Sequence, residues 1–406
     1  MLKSLKKLKN DKFLREGMIL TAAFFIFNAS NFFYHFISAR KLGPEDYAIV
    51  ASLFSLVYIL SVGSNVIQTT ITKFSSTFFA RKDFGKIKYL RDRAMNKLFR
   101  ASFVIFLAYL ICSPFIANYL HIELAPVIIT GLMLLFILTL PVNRGIMQGM
   151  QKFRVLGINL IFEGVVKLIL AAIFLYAGFR VNGAVSAVVL GVAAAFLISF
   201  DKINAKSKSF DSKEIYKYSY PVLFAMMSLT AMYSLDVVLV KHLLSSADAG
   251  FYSAISLLGK IVFFGATAIS LVMFSKVSEL HTKNKEHKHI LNKALSISAA
   301  IGLTITVAYY FARDLIVNII FGSQYASISP LIWIFGLFMT FLSLSYLITL
   351  YNLSIGRKSF VYLLGIFNLL QIAGIYLLAN SIQGVIYFLC AFSIILFMVL
   401  FFFDKK

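Results

Sequence analysis

Residues 17–52 read GMILTAAFFIFNASNFFYHFISARKLGPEDYAIVAS. Positions 17–39 carry no formal charge; Arg40 and Lys41 follow, then the turn-forming Leu42-Gly43-Pro44. A second apolar run starts at Tyr47. At about 1.5 Å of rise per residue, the first run is long enough as a helix to cross a hydrocarbon core of about 30 Å. Two such runs joined by a Gly-Pro turn form a hairpin of membrane-spanning helices. A cleavable leader is excluded as an explanation, because the block from Met18 to Ala39 is too long for a signal core and no small-x-small cleavage site follows it.

The same pattern continues to the end of the 406 residues, of which 60% are hydrophobic and 14% charged. Mean hydropathy is +0.85. A soluble domain carries about 25% charged residues. The periodicity predicts twelve spans, at 17–39, 47–70, 101–117, 126–147, 155–177, 182–200, 217–240, 250–275, 294–312, 328–350, 359–378 and 382–403. With the N-terminus inside, the cytoplasmic segments hold 32 of the 39 Lys and Arg residues and the opposite side holds five. That bias predicts a multi-pass protein of the cytoplasmic membrane with both termini cytoplasmic. It also accounts for the net charge of +22 without nucleic acid, since the cations lie between apolar blocks.

Two basic stretches have the pattern of helices lying on anionic headgroups. In 84–98, Phe84, Ile87, Leu90, Ala94 and Leu98 recur at helical spacing among Lys86, Lys88, Arg91, Arg93 and Lys97; residues 2–13 are similar. Cys112 and Cys390 fall in apolar blocks and suggest neither a disulfide framework nor a metal site. His281, His287 and His289 stand in a lysine-rich polar loop, so no metal is expected there. No Gly-rich phosphate loop is present and no cofactor is expected.

The chain repeats itself at half length. Leu42-Gly43-Pro44-Glu45-Asp46-Tyr47-Ala48 before the second span corresponds to Leu244-Ser245-Ser246-Ala247-Asp248-Ala249-Gly250 before the eighth. Gln148-Gly149-Met150-Gln151-Lys152-Phe153 corresponds to Ile355-Gly356-Arg357-Lys358-Ser359-Phe360, and Asn182-Gly183-Ala184 to Gln383-Gly384-Val385. The expected organisation is a first lobe at 1–200, a cytoplasmic linker at 201–216 and a second lobe at 217–406. Parallel repeats of this kind commonly enclose a central cavity and alternate its exposure, which makes a transporter the default from architecture.

Ionisable residues inside spans are costly, about 2.5–3.5 kcal/mol each on insertion scales, and mark functional positions. Asn159, Glu163 and Lys167 form a polar stripe on the fifth span. Glu163 and Lys167, four residues apart, could neutralise one another there. Lys260 is central in the eighth span and has no carboxylate at helical spacing. Asp236 lies near the outer end of the seventh span, within reach of Lys241 by spacing. Arg144 ends the fourth span, and Asn31 adds polarity to the first. Lys167, Lys260, Arg144, Asn159, Asn31 and Glu163 are the candidate cargo-binding residues; Asp236 and Glu163 are the candidates for ion coupling.

Leu42 to Ala48, Arg144-Gly145-Ile146-Met147-Gln148-Gly149, and Asp236 followed by Gly250-Phe251-Tyr252-Ser253-Ala254 are similar to motifs of the polysaccharide transporter branch of the multidrug/oligosaccharidyl-lipid/polysaccharide (MOP) exporter superfamily. Ala48 stands where that family usually has Gly. The resemblance implies a MATE-like, all-α membrane protein with two six-helix lobes. It also implies a flippase for polyprenyl-pyrophosphate-linked oligosaccharides, with glycosyltransferases or a glycan polymerase as partners. Two other functions compete with it. An ion-coupled multidrug exporter shares the fold, but two central lysines suit an anionic cargo. A membrane glycosyltransferase or polymerase would need a larger external loop with acidic or arginine residues.

Overall fold

The computed structural model describes residues 12–201, 203–210, 213–282, 284–357 and 360–403. Most of the basic 2–13 stretch therefore lies outside the described residues.

The described residues are helical almost throughout, without strands. Helix α1, Lys12–Ala80, contains the first two spans, separated at Gly43, where φ is 74° and ψ 178°. Glycine enters that left-handed region without strain, and Pro44 then withholds the N–H that a continuous helix needs. Its apolar stretch Ala22–Ala80, 59 residues, would be about 88 Å long as one helix, so it is two spans. Ten helices are long and apolar enough to cross a membrane, and a bent pair, Leu223–Met232 with Leu235–Leu243, makes one more. Counting α1 as two gives twelve among the described residues, six on each side of residues 198–212.

The chain forms two compact units. The first comprises Met1–Leu42 and Leu60–Tyr220; the second comprises Gly43–Ile59 and Pro221–Lys406.

In the first unit, α2 runs unbroken from Phe84 to Leu120, 37 residues, or about 55 Å. The basic 84–98 stretch and the third span are thus one helix. Part of its apolar side faces protein: Ile87 and Leu90 are buried with Ile71, Phe78, Ile146 and Ile203, while Phe84 stays exposed. Phe210 stacks edge-on against Phe78 and Tyr89. An amphipathic stripe serves a headgroup surface or a protein groove equally well, and here it fills a groove. The fourth span is broken into α3 (Leu124–Leu132), α4 (Leu134–Ile137) and α5 (Leu140–Gly149), with Pro141 in the first turn of α5. Helices α6 (Phe153–Tyr176) and α7 (Arg180–Leu197) complete the unit's spans.

Helix α8 (Lys213–Met232), which passes into the second unit at Pro221, and α9 (Leu235–Leu243) make the bent seventh span. They are followed by α10 (Ser246–Thr282), α11 (Lys288–Phe311), α12 (Arg313–Ile320), a 3₁₀ segment Ser323–Leu331, α13 (Ile332–Ser354), α14 (Phe360–Leu378) and α15 (Ile382–Phe403). A Cβ on Gly250 would meet the Pro44 carbonyl oxygen at 1.9 Å, so the Gly43-Pro44 turn seats only against a glycine. Helices α11 and α13 approach through a reciprocal pair. A Cβ on Gly302 would lie 2.7 Å from Thr340, and one on Gly336 would lie 2.9 Å from Thr306. Small residues allow such close crossings where lipid offers no hydrophobic drive.

Polarity is distributed for a hydrocarbon solvent. Ile111 and Phe115 are 80% and 72% exposed, which only lipid tails make favourable. Buried hydroxyls return to their own helices: Ser30 donates to the Ile26 carbonyl, Thr306 to Gly302 and Thr349 to Ser345.

Candidate functional site

Each unit holds its own cluster of buried charge.

In the first unit, the breaks in the fourth span deliver Arg144 on α5 to the polar stripe of α6. Arg144 Nε donates to Asn159 Oδ1 at 2.8 Å, and Nη2 donates to Glu163 Oε2 as an ion pair. The two charged side chains are only 12% and 10% exposed. Asn159 is fixed from its other end, where Nδ2 donates to the Ala195 carbonyl at 2.7 Å. Lys167, one turn beyond Glu163, donates Nζ to Asn31 Oδ1. It sits 5.5 Å from the ring centroids of both Phe27 and Tyr34, and the Tyr34 hydroxyl donates to the Ala184 carbonyl at 3.0 Å. Arg144, Asn159, Glu163, Lys167 and Asn31 therefore come together in one unit. Glu163 pairs with Arg144 rather than with Lys167. Two cations face one carboxylate, so the cluster keeps a net formal charge of +1.

One turn below Arg144, Gln148 Oε1 accepts from Gln68 Nε2 at 3.1 Å and from Thr72 Oγ1 at 3.3 Å. Asn143 donates to Ser199 Oγ at 2.7 Å. In the sequence Gln148 stands out only as a letter of the repeat and of the Arg144–Gly149 motif, and Gln68, Thr72, Asn143 and Ser199 are passed over, because neutral amides and hydroxyls leave no charge signal.

In the second unit, Asp236 is fully buried on the first turn of α9. The Tyr252 hydroxyl donates to its Oδ2 at 2.6 Å, whereas Oδ1 has no hydrogen-bond partner among the described residues. Lys260 and Asp236 act on each other electrostatically. Lys260 is half-buried, with Nζ 5.7 Å from the Tyr58 ring centroid. The alternative by spacing, an Asp236–Lys241 pair, gives way to Lys241 donating to Ser246 Oγ at 3.1 Å. The bend after Met232 frees backbone carbonyls, and the fourteenth helix answers them. Asn368 Nδ2 donates to the Ser228 carbonyl at 3.1 Å and Gln371 Nε2 to the Met232 carbonyl at 2.9 Å. Tyr233, Phe263 and Tyr346 line the same region, with successive ring centroids 4.8 Å and 5.6 Å apart.

His281 and His287 approach to 3.4 Å, and His287 meets the Tyr351 hydroxyl at 2.9 Å. Among the described residues, no group of three or more His, Cys, Asp or Glu side chains is placed to hold a metal.

Comparison with solved structures places the fold. An inward-facing multidrug resistance MATE family transporter of the MOP superfamily matches with a TM-score of 0.80 at 14% identity, over 94% of this chain and 93% of that one. The lipid II flippase MurJ, inward closed, matches at 0.73 and 16% identity, over 96% and 88% of the two chains. A MOP superfamily transporter from Pyrococcus furiosus matches at 0.66 and 15%, over 95% and 93%. At these identities the likeness is one of fold. An uncharacterized membrane protein of Methanocaldococcus jannaschii is 25% identical over 272 residues, 61% of this chain. The match spans 63% of that relative's length, under two thirds. The family described as "Polysaccharide biosynthesis protein" matches residues 37–330. That stretch takes in all the charged candidates of both units, from Arg144 to Lys260, and the chain belongs to this polysaccharide biosynthesis family, with a fold like that of the MATE transporter and MurJ structures.

Proposed function

We propose that the protein is a flippase carrying polyprenyl-pyrophosphate-linked oligosaccharide or polysaccharide repeat units across the cytoplasmic membrane, by alternating exposure of a membrane-embedded site. The observation that carries this reading is the buried Arg144–Glu163–Lys167 cluster, whose excess positive charge suits an anionic headgroup. At an effective dielectric near 20, a cation about 4 Å from a phosphate gains on the order of 4 kcal/mol before desolvation. Membership of a polysaccharide biosynthesis family supports a glycan-bearing cargo. Asn159 and Asn31 hold the cations in place, and Lys260 offers a further cation in the second unit. Asp236, with one oxygen unpartnered beside a bent span, is the residue for a coupling cation or proton. In this reading residues 1–200 and 217–406 are the two lobes, 201–216 links them, and both termini are cytoplasmic. Glycosyltransferases supply the cargo, and a polymerase or transferase consumes it.

The test is to remove the protein from its host and follow the lipid-linked oligosaccharide. Accumulation on the inner leaflet with loss of surface glycan supports the reading. Unchanged glycan with new sensitivity to lipophilic cations favours the multidrug exporter, the class to which the TM-score of 0.80 also points.

A further inference from the structure

The cation that should receive a cargo phosphate, Arg144, is already engaged by a carboxylate. Its two partners differ in kind. Asn159 is anchored at both ends, to Arg144 and to the Ala195 carbonyl. Glu163 is held by Arg144 alone among the described residues, through one of its two oxygens. Arg144 thus has one fixed neutral ligand and one releasable anionic ligand, on a guanidinium with five donors. Lys167, one turn along the same face, is met by the neutral acceptor Asn31 and by two rings, and it lies within the electrostatic reach of Glu163. A carboxylate leaving Arg144 therefore finds a second cation four residues along its own helix.

We propose that Glu163 is an internal stand-in for the cargo's anionic group: it occupies Arg144 in the empty carrier, and an arriving pyrophosphate displaces it toward Lys167. This rests on the anionic-cargo reading above and adds a role for the residue of opposite sign. The stand-in does two things. It spares the empty protein an unpaired buried guanidinium, whose cost would be severe. It also sets a ceiling on cargo affinity, because binding must first break an existing ion pair, and release on the far side is helped when the pair re-forms. The exchange is electrostatically balanced: Arg144 trades one oxyanion for another, and the displaced carboxylate gains Lys167.

The test compares full-length purified wild type with Glu163→Gln, Glu163→Asp, Arg144→Gln and the Glu163→Gln/Arg144→Gln double variant, using farnesyl pyrophosphate and inorganic pyrophosphate as probes. Calorimetric binding and ligand-induced thermal shift are the readouts. Glu163→Gln removes the competitor and is expected to bind farnesyl pyrophosphate at least tenfold tighter than wild type while transporting more slowly. Glu163→Asp, with the carboxylate drawn back by one methylene, is expected between the two, and it carries the test where the neutral variant is poorly folded. The gain should vanish in the double variant. Inorganic pyrophosphate following the same order shows that the phosphates alone are sensed; a gain confined to the farnesyl probe shows that the lipid chain must dock first. Unchanged or weaker binding by Glu163→Gln and Glu163→Asp, with binding lost in Arg144→Gln, makes Glu163 structural and overturns the proposal while leaving the anionic-cargo reading standing. Absence of pyrophosphate binding by every form overturns both.

Discussion

Gln371 reaches the carbonyl of Met232 with its side-chain amide at 2.9 Å, across 139 positions of sequence. The bond closes the opening left where the seventh span bends by 42°. In a bilayer no water replaces it. Gln371→Leu is therefore expected to lower stability by about 1–3 kcal/mol, the cost of an orphaned buried acceptor. The midpoint of thermal unfolding in detergent checks this, and an unchanged midpoint would show that the carbonyl finds another partner.

The crossing of α11 and α13 tolerates no added side-chain bulk at Gly302. Gly302→Val is expected to destabilise by about 1–3 kcal/mol, as overpacked cores do. Trimming the facing residue in a Gly302→Ala/Thr340→Ala pair should recover most of what Gly302→Ala loses. Equal thermal stability of Gly302→Ala with and without Thr340→Ala would contradict the contact.

The segment after the sixth span is pinned to the end of the first unit that carries Gly85, Arg91 and Lys152. Lys208 N donates to the Gly85 carbonyl at 3.1 Å, Arg91 donates to the Asp201 carbonyl at 2.6 Å, and Asp201 pairs with Lys152. A Cβ on Gly85 would meet the Lys206 carbonyl oxygen at 2.6 Å. Gly85→Val should lift the segment and speed tryptic cleavage at Lys206 and Lys208. The half-exposed Lys152–Asp201 pair is worth no more than about 1 kcal/mol, so Lys152→Ala should leave cleavage nearly unchanged.

On the proposed flippase reading, Lys167→Gln and Lys260→Gln are each expected to reduce glycan export at least about tenfold, the loss corresponding to about 1.4 kcal/mol of cargo binding. The double variant should abolish export at normal membrane abundance, while Lys→Arg at either site keeps part of it. Surface glycan and protein level are measured together; full export by the double variant would remove the lysines from the cargo site.

The orientation proposed from the sequence, which puts 32 of the 39 Lys and Arg residues inside and five outside, is tested by tags: one at residue 406 is expected to be protected in right-side-out vesicles and one inserted near Glu123 to be accessible. The reverse pattern at either position would invert the assignment of inside and outside.

Spans and repeat were legible because lipid imposes length and turns impose punctuation; the Gly43-Pro44 break was readable from two letters. What escaped was pairing. Glu163 and Lys167 share a helix face, and spacing alone makes them partners. The structure gives Glu163 to Arg144 because the fourth span breaks after Leu132 and again after Ile137, a change of direction that no apolar periodicity records. The protein contacts of the 84–98 stripe were hidden for a different reason: Ile203 and Phe210, which cover part of it, come from a polar segment more than a hundred residues away. Asn368 and Gln371 were invisible as single amides in an apolar run, since their purpose depends on a bend elsewhere.

The seat of Pro44 on Gly250 makes the two halves of the repeat unequal. The two residues belong to corresponding stretches of the repeat, yet one stretch contributes the protruding turn and the other the hollow. The position equivalent to Gly250 in the first copy is Ala48, and the position equivalent to Pro44 in the second is Ser246. The two corresponding stretches are thus related as plug and socket rather than as equals. A chain assembled from two first halves would have turns without sockets, and one from two second halves sockets without turns.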